Sequence, residues 1–285
     1  MSHHLVLVNN SDDHQYLGYT AKHLLLEFPI GGFSTARTFN RNKILCLDLH
    51  IERLIQSTSS VVSPSVLPSE HILRTSIRET IRTALHNASK HIPSEAELRI
   101  TIIVAQVDHQ LRFISHTTEL PPLPRSNVTT RLEYYNRKDA QMKTTSWVAE
   151  RKTLERYINN QVHEVLLGEE KNGKCFLHEG LSSNVFTLSN SKLFTCPIGM
   201  VLGGTIRAMV IKAASLLGIP IVEQCPVLEE AEALFITSTS RLILPVGTLQ
   251  TKDMGELKFE SEGCFLVTRL SRKVLELLEL ESEIP

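Results

Sequence analysis

The run Pro121-Pro122-Leu123-Pro124 is the feature that most constrains this chain. Three prolines in four residues remove the N–H groups that a helix or a central strand needs, and each fixes φ. No regular element crosses such a point. The run therefore divides the 285 residues into a segment over 1–120, a linker over 121–130 and a segment over 131–285. Either segment is long enough to bury a core of its own.

The first segment mixes helix and strand signals. Residues 5–8 read as a short apolar strand. Gly31-Gly32 punctuates the chain before a strand over 33–39, and Asn40 to Asn42 turn it into a hairpin with 43–47. Asp48 is placed to cap a helix over 49–58, and Ser69 precedes a longer one reaching Ser89. In that longer helix Ile72, Leu73, Ile77, Ile81 and Leu85 form one apolar stripe. Residues 98–107 are β-rich, with 111–115 as a pairing partner.

Beyond the prolines the pattern predicts a helix over 148–161 and strands over 164–167, 175–178, 184–188 and 193–195. A helix over 205–217 ends at Gly218, with Pro220 following. A strand over 219–222, a short helix over 228–233, a strand over 233–236 and a last helix over 265–280 complete the segment. The whole is an α/β chain of the α+β type.

Composition narrows the function classes. The 30 Lys plus Arg balance 31 Asp plus Glu, so no basic excess exists to hold nucleic acid or anionic lipid. Five cysteines, Cys46, Cys175, Cys196, Cys225 and Cys264, form no CxxC pair. Their odd number reads as buried reduced thiols rather than a disulfide framework or zinc site, and no metal is expected. The opening residues are too few and too polar for a signal peptide. No apolar run approaches the roughly 20 residues that span a bilayer. The expectation is a cytoplasmic protein.

Four separated segments can carry chemistry. Lys143, in Met142-Lys143-Thr144-Thr145-Ser146, stands just before a helix, and a partly desolvated lysine there becomes a nucleophile. Glu179-Gly180-Leu181-Ser182-Ser183-Asn184 lies between strands, and a buried glutamate holds a pyridinium proton well. The hydroxyls and the amide of Asn184 add hydrogen-bonding groups. Leu202-Gly203-Gly204-Thr205-Ile206-Arg207 opens a helix, and a helix N-terminus suits phosphate. Thr237-Ser238-Thr239-Ser240-Arg241 supplies four hydroxyls that could complete a phosphate cup or equally mark a solvated strand end. Taken singly, each also reads as an ordinary surface lysine, polar turn, helix start or solvated strand end.

Taken together, their order and spacing resemble the class IV aminotransferases. These fold-type IV pyridoxal-phosphate enzymes include branched-chain aminotransferases, D-amino-acid aminotransferases and aminodeoxychorismate lyases. Glu179 to Phe186 is similar to the family's E-G-x-S-x-N-x-F signature, and Leu202 to Arg207 to its L-P-G-[IV]-T-R turn. Phe33-Ser34-Thr35-Ala36-Arg37 resembles its F-E-x-x-R strand and is closer to the F-T-T-A-R form of the lyases. His50-Ile51-Glu52-Arg53-Leu54 resembles its H-x-x-R-L helix. The chain departs from the pattern at Ser34, where many relatives have glutamate, and at Gly203, where proline is usual. Thr205 and Ile206 stand in exchanged order, and Leu181 replaces a hydroxyl residue.

The resemblance implies a two-domain fold, a smaller N-terminal α/β domain and a larger C-terminal β-barrel-like domain, with pyridoxal 5'-phosphate in the cleft and a homodimer as the working unit. By position it implies that Lys143 carries the cofactor and shuttles the α-proton, and that Glu179 pairs with the pyridine nitrogen. Arg53, the N–H groups of Thr205 and Ile206, and the Thr239 hydroxyl bind phosphate. Ser183 and Asn184 add cofactor contacts, and Phe33, Arg37 and Trp147 line the substrate pocket. The implied reaction moves an amino group between an amino acid and a 2-oxo acid. The F-S-T-A-R segment also fits an aminodeoxychorismate lyase that releases pyruvate and 4-aminobenzoate. The departures in the phosphate turn fit a non-catalytic pyridoxal-phosphate binder, against which Lys143 and Glu179 are both retained.

Overall fold

The computed structural model of the chain describes residues 4–12, 16, 18–123 and 127–285. The elements run β1 Leu5–Val8, β2 Ser11–Asp12, α1 Ala21–Glu27, β3 Gly31–Phe39, β4 Lys43–Leu45, α2 Leu47–Ser59, α3 Glu70–His91, β5 Leu98–Val107 and β6 Gln110–Glu119. They continue β7 Val128–Tyr134, α4 Thr145–Glu150, α5 Lys152–Glu155, β8 Val162–Lys171, β9 Lys174–Gly180, β10 Asn184–Ser189, β11 Lys192–Thr195 and α6 Thr205–Leu216. The remainder is β12 Ile221–Glu223, β13 Ala233–Ser238, β14 Leu242–Gln250, β15 Glu256–Lys258, α7 Phe265–Leu280 and β16 Ser282–Glu283. Two compact units result. One comprises Met1–Pro122, Met142–Glu150 and Leu278–Pro285, the other Leu123–Gln141 and Arg151–Leu277.

The first unit is an antiparallel sheet of order β16-β4-β3-β5-β6-β1-β2. Its central strand β5 is apolar at nearly every position because both faces are covered. Leu98, Ile100, Ile102 and Val104 point to one face, where Ile51, Leu54 and Ile55 of α2 and Leu73, Ile77, Ile81 and Ala84 of α3 complete a core. Each such fully buried aliphatic side chain contributes about 1.5–3 kcal/mol. Ile103 and Ala105 point to the other face and meet Phe33, Ile114, Leu24, Leu25 and Phe28 of the α1 region, and Val148 of α4. At the far end of that face the packing turns polar.

The second unit is built on strands in the order β10-β13-β14-β7-β8-β9, and β9 returns to β10 to close a barrel. The closing pair is Glu179 with Asn184. Strands β11 and β12 extend the sheet from β10, and β15 pairs with β14. Val128, Leu132, Leu166, Leu177, Val185, Leu234, Ile236, Leu244 and Val246 form its core. Phe186 and Phe235, directly paired across β10 and β13, stack with centroids 5.1 Å apart.

Several expectations are revised. Gly31-Gly32 is part of β3 rather than punctuation before it. Asp48 lies in the first turn of α2, whose N-cap is Cys46 in a left-handed conformation with φ 51°. The helix over 148–161 begins at Thr145 instead, breaks at Arg151 and ends at Glu155. Helix α1 has no counterpart among the expected elements; Thr20 caps it, its hydroxyl accepting a 3.3 Å bond from the His23 N–H. Strand β7 starts inside the expected linker, at Val128, and Pro124 lies outside the described residues. Cys196 and Cys225 form a disulfide, against the reading of all five cysteines as reduced thiols. Parallel pairing of Thr195 with Glu223 brings the two cysteines together, a long-range event that cysteine spacing did not encode. Among the described residues no helix is long and apolar enough to cross a membrane.

Candidate active site

In the first unit, one face of α2 presents His50, Arg53 and Ser57, spaced as helical neighbours. Arg53 Nη2 donates to Ser34 Oγ at 2.8 Å and lies 3.2 Å from His50 Nδ1. Ser34 Oγ is 2.8 Å from the same Nδ1. Since Arg53 can only donate, this network assigns Nδ1 as an acceptor and leaves the ring proton on Nε2. Burial holds the His50 imidazole well below its usual pKa, with the Arg53 and Lys143 cations acting in the same direction. The ring is therefore neutral. Burial also lowers Arg53 to about 10, opposed by Cys46.

Lys143 is pinned by its backbone against the same elements. Its N–H donates to Ser57 Oγ at 2.8 Å, and its C=O accepts from Phe33 N–H at 2.9 Å. The side chain then lies with Nζ 4.7 Å from the centroid of the Phe33 ring, a cation–π contact. Phe33 is otherwise a member of the apolar core beside α1 and α4, and Trp147 is buried on α4. Arg37 stands further along β3, directly opposite Arg99 of β5. Its Nη1 is buried without a hydrogen-bond partner among the described residues, and burial lowers its pKa against the pull of Glu97.

The second unit gathers the other motif residues. Glu179 and Asn184 sit side by side at the barrel closure, and Thr237 pairs with Asn184 on the next strand. Directly paired residues share a sheet face, so the three side chains lie in a row. Glu179 Oε1 accepts from Arg137 Nη1 at 2.8 Å and Oε2 from the Leu202 N–H at 3.1 Å. Asn184 Nδ2 donates to the Leu202 C=O at 2.7 Å. Leu202 is thus held through both of its backbone polar groups. A Cβ on Gly204 would clash with the Asn184 side chain, which is tied to the Leu202 C=O, so glycine lets the two pack together.

Gly204 is the N-cap of α6 and supplies no capping side chain. The first N–H groups of a helix, here those of Thr205 and Ile206, have no acceptor within the helix and suit an anion. Thr205 Oγ1 lies 3.3 Å from Thr239 Oγ1 beside them. Helix start and hydroxyls together have the chemistry of a phosphate cup, and the Glu179 carboxylate that of an acceptor for a ring N–H. Ser183 turns its hydroxyl to Glu164 instead, at 3.2 Å. His50, Ser57, Arg137, Glu164 and Arg241 were not singled out as site residues from sequence. His50 and Arg241 stood inside the quoted motifs; the others carried no local signal.

A family model for amino-transferase class IV matches residues 31–249. No curated protein sequence matches the chain. Among solved structures, a branched-chain aminotransferase from Thermoproteus uzoniensis with norvaline is similar at TM-score 0.71 and 19% identity, over 99% of this chain and 96% of that one. A hypothetical aminotransferase from Mycobacterium tuberculosis in its PLP-bound form gives TM-score 0.72 at 16% identity, over 96% and 98%. A fold IV transaminase from Curtobacterium pusillum gives 0.72 at 18%, over 96% and 99%. At such identities these neighbours establish the fold, and that fold is fold-type IV. With the family model spanning most of its length, the chain belongs to the class IV aminotransferase family.

Proposed function

We propose that this protein is a pyridoxal-phosphate-dependent aminotransferase that moves an amino group between an amino acid and a 2-oxo acid. The observation that carries the reading is the joint between Glu179, Asn184 and Leu202, which fixes an acidic acceptor and the entry to an anion-binding helix in one rigid piece. When bound, pyridoxal phosphate would supply an amino-group acceptor and an electron sink for the substrate Cα. Lys143 carries the cofactor and its Nζ removes and returns the α-proton. Its backbone is held at both ends, so only its side-chain stem has to move. Glu179 keeps the ring nitrogen protonated. By the family resemblance, the N–H groups of Thr205 and Ile206, the Thr239 hydroxyl and the Arg53 guanidinium are the phosphate-binding groups of this reading. Asn184 acts through Leu202. Phe33, Arg37 and Trp147 are the substrate-side residues of this reading, and a homodimer is its working unit.

The test is the visible absorbance of the purified protein with pyridoxal phosphate, before and after a panel of L- and D-amino acids. A cofactor band that bleaches with one class of donor is expected. Lys143→Ala should remove that band and slow amino transfer by at least ~10²–10⁴-fold, the worth of a positioned general base. An unchanged band in Lys143→Ala would sink the assignment of Lys143. A second reading, aminodeoxychorismate lyase, is favoured by one observation. Ser34 bonds His50 and Arg53 at the strand position where the lyase-like F-S-T-A-R segment departs from F-E-x-x-R. Release of pyruvate and 4-aminobenzoate from aminodeoxychorismate, with no bleaching by amino acids, would establish it.

A further inference from the structure

We propose that Glu164 and Arg241 are positioning residues, an ion pair between a buried carboxylate and a half-buried guanidinium that locks the Thr237–Arg241 hydroxyl loop to the Glu179–Asn184 segment and so sets Thr239 for phosphate. The proposal rests on the pyridoxal-phosphate reading above. Glu164, on β8, is 1% exposed and belongs to none of the motifs. Its Oε2 accepts from Arg241 Nη2 at 2.7 Å, Ser182 Oγ at 2.7 Å and Ser183 Oγ at 3.2 Å. Its Oε1 accepts from the Val165 N–H at 3.2 Å. Strand β8, the β9–β10 turn and the β13–β14 turn therefore converge on one carboxylate.

Arg241 ties its own loop in the same way. Its Nε donates to Ser238 Oγ at 3.1 Å and its Nη2 also to Ser182 Oγ at 3.1 Å. Its backbone N–H donates to the Ser238 C=O at 3.2 Å. The next residue, Leu242, is held at φ 53°, a left-handed conformation that a branched side chain adopts only where its surroundings impose it. Thr239 lies inside this loop, with its hydroxyl against Thr205 at the start of α6. The cation of Arg241 is committed to Glu164, so it orders the cup rather than binding in it. On the opposite side, a Cβ on Gly180 would fall 2.2 Å from Ser183 Oγ and 3.0 Å from Glu164 Cγ. A buried carboxylate is costly to keep and is often no more stabilising than an apolar substitute, so what it fixes here is geometry.

Equilibrium dialysis of the cofactor-depleted full chain tests this, with pyridoxal phosphate and phosphate-free pyridoxal as the two probes. Arg241→Gln and Glu164→Gln should each weaken pyridoxal phosphate by ~10-fold or more, about one charge-assisted hydrogen bond, and leave pyridoxal unchanged. Arg241→Lys should restore part of the loss, and the double variant should bind no worse than either single one. Equal loss for both probes would show general loosening and overturn the proposal, as would unchanged affinity for pyridoxal phosphate. If either variant fails to fold, Ser182→Ala decides: a loss confined to pyridoxal phosphate supports the lock, and no loss overturns it. Failure of the unaltered chain to take up pyridoxal phosphate would overturn the functional reading itself, whereas normal uptake by every variant overturns only the lock.

Discussion

The two units bury polar groups in different ways. On the sheet of the first, Arg53 bonds a hydroxyl and a neutral imidazole, Ser34 and His50. In the barrel of the second, guanidiniums meet buried carboxylates: Arg137 with Glu179 at 2.8 Å and Arg241 with Glu164 at 2.7 Å. Burial pulls the Arg53 guanidinium of the neutral network down to about 10, opposed by Cys46. Ion pairs instead fix geometry and are hard to break one partner at a time. The second arrangement suits a frame that must not move.

Breaking an ion pair should have the largest effect on stability. Arg137→Ala leaves the buried Glu179 carboxylate without its 2.8 Å partner and should cost about 3–5 kcal/mol. Urea unfolding reads this, with hydrogen exchange showing the loss concentrated in the barrel strands. A loss below about 1 kcal/mol would mean that the pair is no better than a surface bridge.

Acid should act next, and chiefly on the sheet. His116 is buried and pushed down to about 4, first by desolvation, then by His4 and Arg99. In the unfolded chain a histidine titrates near ~6.5, so below that pH the unfolded state binds a proton that the folded state refuses. This contribution is complete above ~6.5 and lost as pH falls towards 4. Between pH 7 and pH 5 the loss is about 2 kcal/mol for His116. His50 adds to it in the same direction. His178 of the barrel is also lowered, by burial against the opposing pull of Glu169, so the barrel is not wholly insensitive. His116→Gln should flatten the acid limb of a stability–pH profile; an unaltered limb would refute the assignment.

The smallest effect is expected from Ser34→Ala, which removes one hydroxyl from the neutral network. About 1–2 kcal/mol is expected, the worth of a buried neutral hydrogen bond whose partners are partly left unsatisfied. A shift in urea midpoint as large as that of Arg137→Ala would erase the contrast between the two units.

Much of the fold was readable locally. The stripe of α3, with Leu73, Ile77 and Ile81, lies in the core as its spacing required, although Ile72 is 52% exposed. The hairpin of β3 and β4, the strands β5 and β10 and helix α7 also follow their patterns. Strand β14 was missed because Pro245 and Gly247 interrupt it, and β7 because its alternation of Val128, Thr130 and Leu132 with Thr129, Arg131 and Glu133 begins inside the linker expected over 121–130; Val246 pairs with Val128 across more than a hundred residues of chain. The motif residues were readable as types in order. Their attachments were not: Glu164 reaches Arg241 and Ser182, and Arg137 reaches Glu179, across separations that no local pattern encodes.

The sequence by itself determined which groups are available: an isolated lysine before a helix, an acid between strands, and a glycine turn opening α6. Those signals are local, because caps, turns and periodicity act over a few residues. Only the tertiary structure decided that Glu179 and Asn184 close the barrel, that Leu202 is held through both its backbone groups, and that Cys196 meets Cys225. Such contacts form when burial of apolar strand faces brings distant segments together. Their partners are chosen by register and packing rather than by neighbours along the chain.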